Sequence, residues 1–129
     1  MVGVSREADN VGIHAGRFLL ATIDGGGTIP PELGLAARLV RRGHRVRVLA
    51  DPTVQRAAEA AGCGFTSWRA APHFTTVAEQ TALIRDLERR GMPGQFAFVR
   101  DRIICGPARL FAADVVATVR EHPVEVVLA

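Results

Sequence analysis

The stretch Asp24-Gly25-Gly26-Gly27-Thr28-Ile29-Pro30-Pro31 holds the residue types best suited to gripping a small molecule. Glycines let backbone N–H groups approach a ligand without a Cβ in the way, and they permit a sharp turn. Asp24 adds an ionised carboxylate, which either acts on a ligand or caps the turn of its own loop. Gly25–Pro30 starts as a G-x-G nucleotide motif, but Pro30 stands where the third glycine belongs. Asp51 stands where a dinucleotide-binding fold keeps its ribose-binding acid. Pro52 directly after it favours a helix N-cap instead. A Walker-type phosphate loop is excluded, because the chain contains no Lys.

The other reactive side chains are scattered. His14 falls in the N-terminal leader and His122 at a helix end, where both are expected to face solvent. His44 suits a turn. His73, beside Phe74, is the only histidine expected within reach of the glycine loop. Trp68 is expected to pack at the core or its rim, and Phe96, Phe98 and Phe111 in the core. Cys63 and Cys105 lack C-x-x-C spacing and read as two reduced thiols of a cytoplasmic protein, with neither a disulfide nor a metal site.

These residues need elements to position them. Phe18–Ile23 is a short uncharged run, right for a buried strand and too short for a membrane span. Pro30 and Pro31 suit the first turn of a helix, and Pro31–Arg42 carries an apolar face of Leu33, Ala36, Ala37 and Val40. Gly43 closes it. Arg45–Ala50 is a second strand, Pro52 to Ala61 a second helix closed by Gly62, and Gly64–Trp68 a third strand. Thr76 and Glu79 form a capping box for a helix to about Arg89, with Leu83, Ile84 and Leu87 inward. Gly91–Gly94 is read as a break and Gln95–Cys105 as a helix. Gly106-Pro107 opens a helix to about Glu121 that buries Leu110, Phe111, Val115, Val116 and Val119. Val124–Ala129 is a fourth strand.

Alternating strands and helices joined by short connections predict an α/β fold, a parallel sheet in the order 3-2-1-4 with helices on both faces. The loop between the first strand and the first helix then lies at the sheet edge where open α/β folds bind ligands. The 129 residues, 48% hydrophobic and 22% charged, suit one soluble domain. Net charge is +3, and all sixteen basic residues are Arg. They are not interleaved with aromatics and Tyr is absent, which argues against nucleic-acid binding. Residues 1–16 lack an apolar h-region and are expected to be a disordered leader, or translated upstream sequence, rather than a secretory signal. Because the last strand runs to residue 129, residues 17–129 are expected to be a truncated piece of a longer fold.

In their order and spacing, these pieces resemble a known family. The apolar strand, the Gly-rich loop, Pro31-Glu32-Leu33-Gly34-Leu35-Ala36 and Leu39-Val40-Arg41-Arg42-Gly43-His44-Arg45-Val46-Arg47-Val48 are similar to the opening of family 1 glycosyltransferases of the GT-B fold. Bacterial enzymes that decorate natural products are the nearest in pattern. Ala60-Ala61-Gly62-Cys63-Gly64-Phe65, Gly106-Pro107-Ala108 and Val124–Leu128 extend the likeness to most of the chain.

The resemblance implies the first part of an N-terminal, Rossmann-like acceptor domain. It also implies a nucleotide-sugar donor held by a second domain whose motifs are not in this sequence. No cofactor is expected on this segment itself. The acceptor, a small hydroxylated molecule, would lie against Gly25, Gly26, Gly27, Thr28, Ile29, Pro30 and His73. Many family members carry a catalytic His three residues before the helix-opening Pro, and Thr28 holds that position here. A Thr hydroxyl does not ionise near neutral pH and is a poor general base. Thr28 is therefore expected to position an acceptor, with Asp24 the nearest ionised group. A dinucleotide-binding oxidoreductase and a non-catalytic ligand-binding remnant are the alternative readings.

Overall fold

The computed structural model describes residues 14–25 and 27–129. Residues 1–13 of the expected leader, and Gly26 of the expected acceptor loop, lie outside the described residues.

Strand β1 (Arg17–Ala21) leads through the glycine loop into α1 (Ile29–Arg41) and β2 (Arg45–Ala50). A single 3-10 turn at Pro52–Val54 then opens α2 (Gln55–Ala60), followed by β3 (Gly64–Ser67). Next come α3 (Val77–Glu88), α4 (Met92–Phe98) with a π-helical continuation over Val99–Ile104, α5 (Ala108–Glu121) and β4 (Val126–Leu128). The sheet order is β3-β2-β1-β4, with every pairing parallel, as expected.

The strand period of two divides the core into two layers. Leu20, Val46, Val48 and Ala50 point to one face, against Ala36 of α1 and Ala58 of α2. Leu19, Ala21 and Leu49 point to the other, where Phe111, Val115 and Val119 of α5 pack with Trp68. Leu19, Val48 and Leu49 are fully buried. Each such side chain contributes about 1.5–3 kcal/mol on leaving water.

Both helices on the first face end in the same motif. His44 N–H donates to Leu39 O at 3.1 Å and Gly43 N–H to Val40 O at 3.0 Å. Cys63 N–H donates to Ala58 O at 3.1 Å and Gly62 N–H to Glu59 O at 3.0 Å. This is the Schellman pattern, which needs a left-handed residue, supplied by Gly43 at φ 86° and Gly62 at φ 84°.

Several local expectations change. Met92, Pro93 and Gly94 form the first turn of α4 rather than a break, with Gly91 at its N-cap. Pro is tolerated there because the first-turn N–H groups have no helical partner. On α5 the buried residues are Asp114 and Thr118, while Leu110 and Val116 are exposed. Ile84 and Phe96 are also exposed, Phe96 by 70%. Neither α3 nor α4 contains a buried residue, so their apolar side chains do not all reach a core. Strand β4 covers only the middle of its expected range.

Candidate functional site at the C-terminal edge of the sheet

All four strands point their C-terminal ends to one side, and the loops there are tied by two buried carboxylates. Asp51, at the end of β2, is fully buried. Its Oδ2 accepts from Asp24 N–H and its Oδ1 from Phe74 N–H, both at 2.7 Å. It occupies the expected N-cap position, but its side chain makes no capping hydrogen bond. Instead it joins the β1–α1 loop to the β3–α3 loop. With both oxygens engaged by backbone amides, Asp51 is not free to bind a ribose.

Asp24 is fixed on three sides. Its carboxylate accepts from Thr53 Oγ1 at 2.6 Å, its carbonyl accepts from Gln80 Nε2 at 2.8 Å, and its amide goes to Asp51. The carboxylate is thus held by the start of the second helix rather than capping its own loop. Neither Gly25 nor Gly27 has a positive φ, and a Cβ built on either meets no close neighbour. Among the described residues, the left-handed glycines are Gly43 and Gly62.

Asp114 of α5 performs the second tie. Its Oδ2 accepts from Arg69, Ala70 and Ala71 N–H at 2.8, 2.9 and 3.0 Å. Burial pushes this carboxyl up, but the three amides and the nearby Arg69 guanidinium outweigh it and hold the group below its usual range. Trp68 Nε1–H donates to Thr22 O at 3.0 Å, and its ring meets Phe111 edge-on at 4.9 Å. The indole is therefore core packing with its polar handle satisfied.

Two cavities open beside these ties. One, of about 200 Å³, is lined by Ile23, Asp51, His73, Leu83, Phe98 and Phe111. His73 Nδ1 lies 2.8 Å from Ala71 O. A carbonyl only accepts, so Nδ1 is the protonated nitrogen, and in the neutral ring Nε2 is left as an acceptor. The other cavity, about 410 Å³, lies between α1 and α5 and includes Thr28, Glu32, Thr22 and Val115 in its wall. Ile23 and Phe111 line both. Of the expected acceptor residues, Thr28 and His73 thus stand at neighbouring cavities on the same sheet edge. Thr28 is the N-cap residue of α1, exposed, and makes no side-chain capping bond.

Glu32 was not among the residues singled out by sequence. It is one turn past Thr28, on the same face of α1. Its Oε2 is sealed from solvent and accepts no hydrogen bond from any described group. A buried acceptor left without a donor costs about 1–3 kcal/mol, and more when charged. The four-residue spacing from Thr28 was the available signal, hidden because Glu32 sits within an apolar helical face.

Burial pushes the Cys63 thiol up, which makes it a poor nucleophile, and Cys105 is exposed; both are free. No helix among the described residues is long and apolar enough to cross a membrane.

No family model matches the sequence. The chain is 29% identical over 112 residues to 4'-demethylrebeccamycin synthase of Lentzea aerocolonigenes, an alignment covering 87% of this chain and 26% of that protein. Its fold is similar to that of the glycotransferase of kitacinnamycin, with a TM-score of 0.57, 21% identity, and coverage of 88% of this chain and 24% of the other. It is equally similar to CalG4, the calicheamicin glycosyltransferase, with a TM-score of 0.57, 20% identity, and coverage of 89% and 24%. The chain spans about a quarter of the length of each of these proteins.

Proposed function

We propose that this chain, a family 1-like segment of a GT-B glycosyltransferase by sequence and fold, forms acceptor-binding structure in a sugar-transfer enzyme. Residues 17–129 are the Rossmann-like acceptor portion in this reading. The complete protein moves a sugar from a nucleotide-activated donor to a small hydroxylated acceptor. The donor sits on a second domain, and the segment described here binds no cofactor of its own. Two free thiols agree with a cytoplasmic location.

The observation that carries the reading is a coincidence of place. The alignment to a glycosyltransferase spans the strand–loop–helix unit whose loop borders both cavities. Those cavities open at the strand C-termini, where parallel sheets hold ligands. Holding an acceptor there against a bound donor supplies acceleration through positioning alone, worth roughly 7–11 kcal/mol in favourable cases. Thr28 and the Gly25–Pro30 loop orient the acceptor, His73 offers Nε2 to a second polar group, and Asp24 fixes the loop. The oxidoreductase alternative is disfavoured by Pro30 in the third glycine's place and by the engagement of Asp51.

The test is to incubate the full-length gene product with a panel of nucleotide sugars and phenolic or alcoholic acceptors. Mass spectrometry of the acceptors is expected to show addition of one hexose or deoxyhexose. Absence of any transfer and of any acceptor binding would overturn the reading. Thr28→Ala is expected to raise the acceptor KM; unchanged kinetics would remove Thr28 from the site.

A further inference from the structure

We infer that the N-terminal edge of the sheet, opposite Thr28 and His73, carries an anion site. There Arg17, Arg45 and Arg47 hold a ligand with two linked phosphoryl groups, either free diphosphate or the diphosphate of a nucleotide. Neither the site nor its test depends on sugar transfer.

The strand N-termini meet the C-terminal end of α5 around a cavity of about 450 Å³. Its polar wall holds the three arginines with His44, Glu121 and His122. Phe18, Val46, Pro123 and Val124 form its apolar wall.

Register gathers the charge. Arg17 pairs with Arg45 across β1 and β2, and Leu19 pairs with Arg47. Residues two apart share a face of a strand, so the three arginines project on the side of Leu19, toward α5. Adjacent strands lie about 4.8 Å apart, which sets Arg17 and Arg45 side by side. Like charges so placed repel, and an anion between them removes the repulsion.

The neighbouring carboxylates are engaged elsewhere. Glu121 gives both oxygens to Arg69, at 2.8 and 2.9 Å. Glu125 bonds His14 Nε2 at 3.1 Å and accepts from the Arg17 backbone N–H at 3.3 Å. No ion pair among the described residues involves the guanidinium of Arg17, Arg45 or Arg47.

One guanidinium is already set in place. Arg47 Nη1 donates to Phe65 O at 2.8 Å and to Thr66 Oγ1 at 3.1 Å. Its head lies against Gly64, where a Cβ would come within 3.0 Å of Nη2. Those bonds leave Nη2 and Nε to donate elsewhere. His44 Nδ1 accepts from Gly16 N–H at 3.0 Å, so its neutral ring carries the proton on Nε2 and adds a donor. Planar forks of N–H groups match phosphate oxygens two at a time. Three such cations in one wall call for more negative charge than a single carboxylate or phosphate supplies.

The test reads arginine accessibility on the full-length protein. Phenylglyoxal modifies exposed guanidinium groups, and peptide mass spectrometry gives the rate at each arginine. Arg17, Arg45, Arg56 and Arg85 are all exposed. Salt is held at about 0.15 M, where exposed charges more than about 8 Å apart are screened. Inorganic diphosphate is expected to slow modification of Arg17 and Arg45 by at least about five-fold and to leave Arg56 and Arg85 unchanged. Equal slowing at all four, or at none, overturns the inference. Replacing diphosphate with ADP identifies the source. Stronger protection by ADP marks a nucleotide, with its base on the apolar wall; stronger protection by diphosphate marks the free anion.

Two variants separate a built site from diffuse charge. In Arg17→Gln, protection of Arg45 by diphosphate is expected to be lost. Arg56→Gln removes the same charge elsewhere and is expected to keep it. Protection of Arg45 that survives Arg17→Gln, or fails equally in Arg56→Gln, overturns the inference.

Discussion

Asp51 uses both carboxylate oxygens as acceptors for N–H groups from different loops, and this makes it hard to replace. Alanine leaves two amides without their partner, at about 1–3 kcal/mol each. Asparagine keeps one acceptor oxygen but turns an NH₂ toward an N–H donor, so only one loop can remain tied. Asp51→Ala is expected to lower unfolding stability by about 3 kcal/mol in urea titrations, and Asp51→Asn by more than half of that. Asp114 makes a different prediction, because its carboxyl is held below its usual value. A depressed folded-state pKa stabilises the fold above the unfolded-state value, here the ordinary 3.8. That stability is lost as pH falls through the lower folded-state value. Asp114→Asn is expected to be less stable than the parent near neutral pH and to lose less stability below about pH 4. Urea midpoints measured from pH 2 to pH 6 would reveal it; parallel curves would rule out this tie as a source of acid sensitivity.

At the scale of elements, the two helix C-termini supply a controlled comparison. Gly43 and Gly62 share a left-handed φ and a Schellman bond pattern, but their surroundings differ. A Cβ at Gly43 meets nothing within 4 Å, whereas at Gly62 it approaches Val40 Cγ1 to 3.1 Å. Gly43→Ala bears the backbone cost alone, about 1–2 kcal/mol. Gly62→Ala adds a crowded contact between α1 and the end of α2. Its thermal midpoint is expected to fall further than that of Gly43→Ala, and equal midpoints would show that Val40 yields freely. These glycines were also the clearest marks in the sequence, which is why α1 and β2 were legible to within two residues and the end of α2 to within one, while the start expected at Pro52 is a 3-10 turn and α2 begins at Gln55. Helix α5 was legible in extent and in part of its inward face: Phe111, Val115 and Val119 pack on the sheet core, while Leu110 and Val116 are exposed. Beside that face Asp114 and Thr118 are buried, and apolar periodicity gives no hint that a carboxylate is buried to hold three amides. The capping box of α3 was legible in type. Glu79 N–H bonds Thr76 Oγ1, but the Glu79 carboxylate reaches back to Thr75 N–H rather than to that of Thr76.

For the whole molecule, the parallel order β3-β2-β1-β4 followed from the alternation of buried runs and helices, because right-handed crossovers leave few other arrangements. The site was less legible, since its ties join residues far apart in sequence: Asp51 to Phe74, Gln80 to Asp24, Asp114 to Arg69. The molecule also leaves large apolar side chains in solvent, among them Met92, Phe96, Val126 and Val127. Burying such a side chain completely from full exposure contributes about 1.5–3 kcal/mol, and each partly exposed Val or Met forgoes a share of that. Residues 1–129 expressed alone are expected to transfer no sugar, to bind hydrophobic dyes and to self-associate in sedimentation. A sharply melting monomer would count against this. The tie through Asp51 has one further consequence, for engineering. Because a single carboxylate anchors the loops before α1 and before α3, neither loop is an independent module. Exchanging one loop alone with that of a similar protein would pull the retained loop off its anchor. Such a chimera is expected to keep its geometry only when both loops and Asp51 are transplanted together.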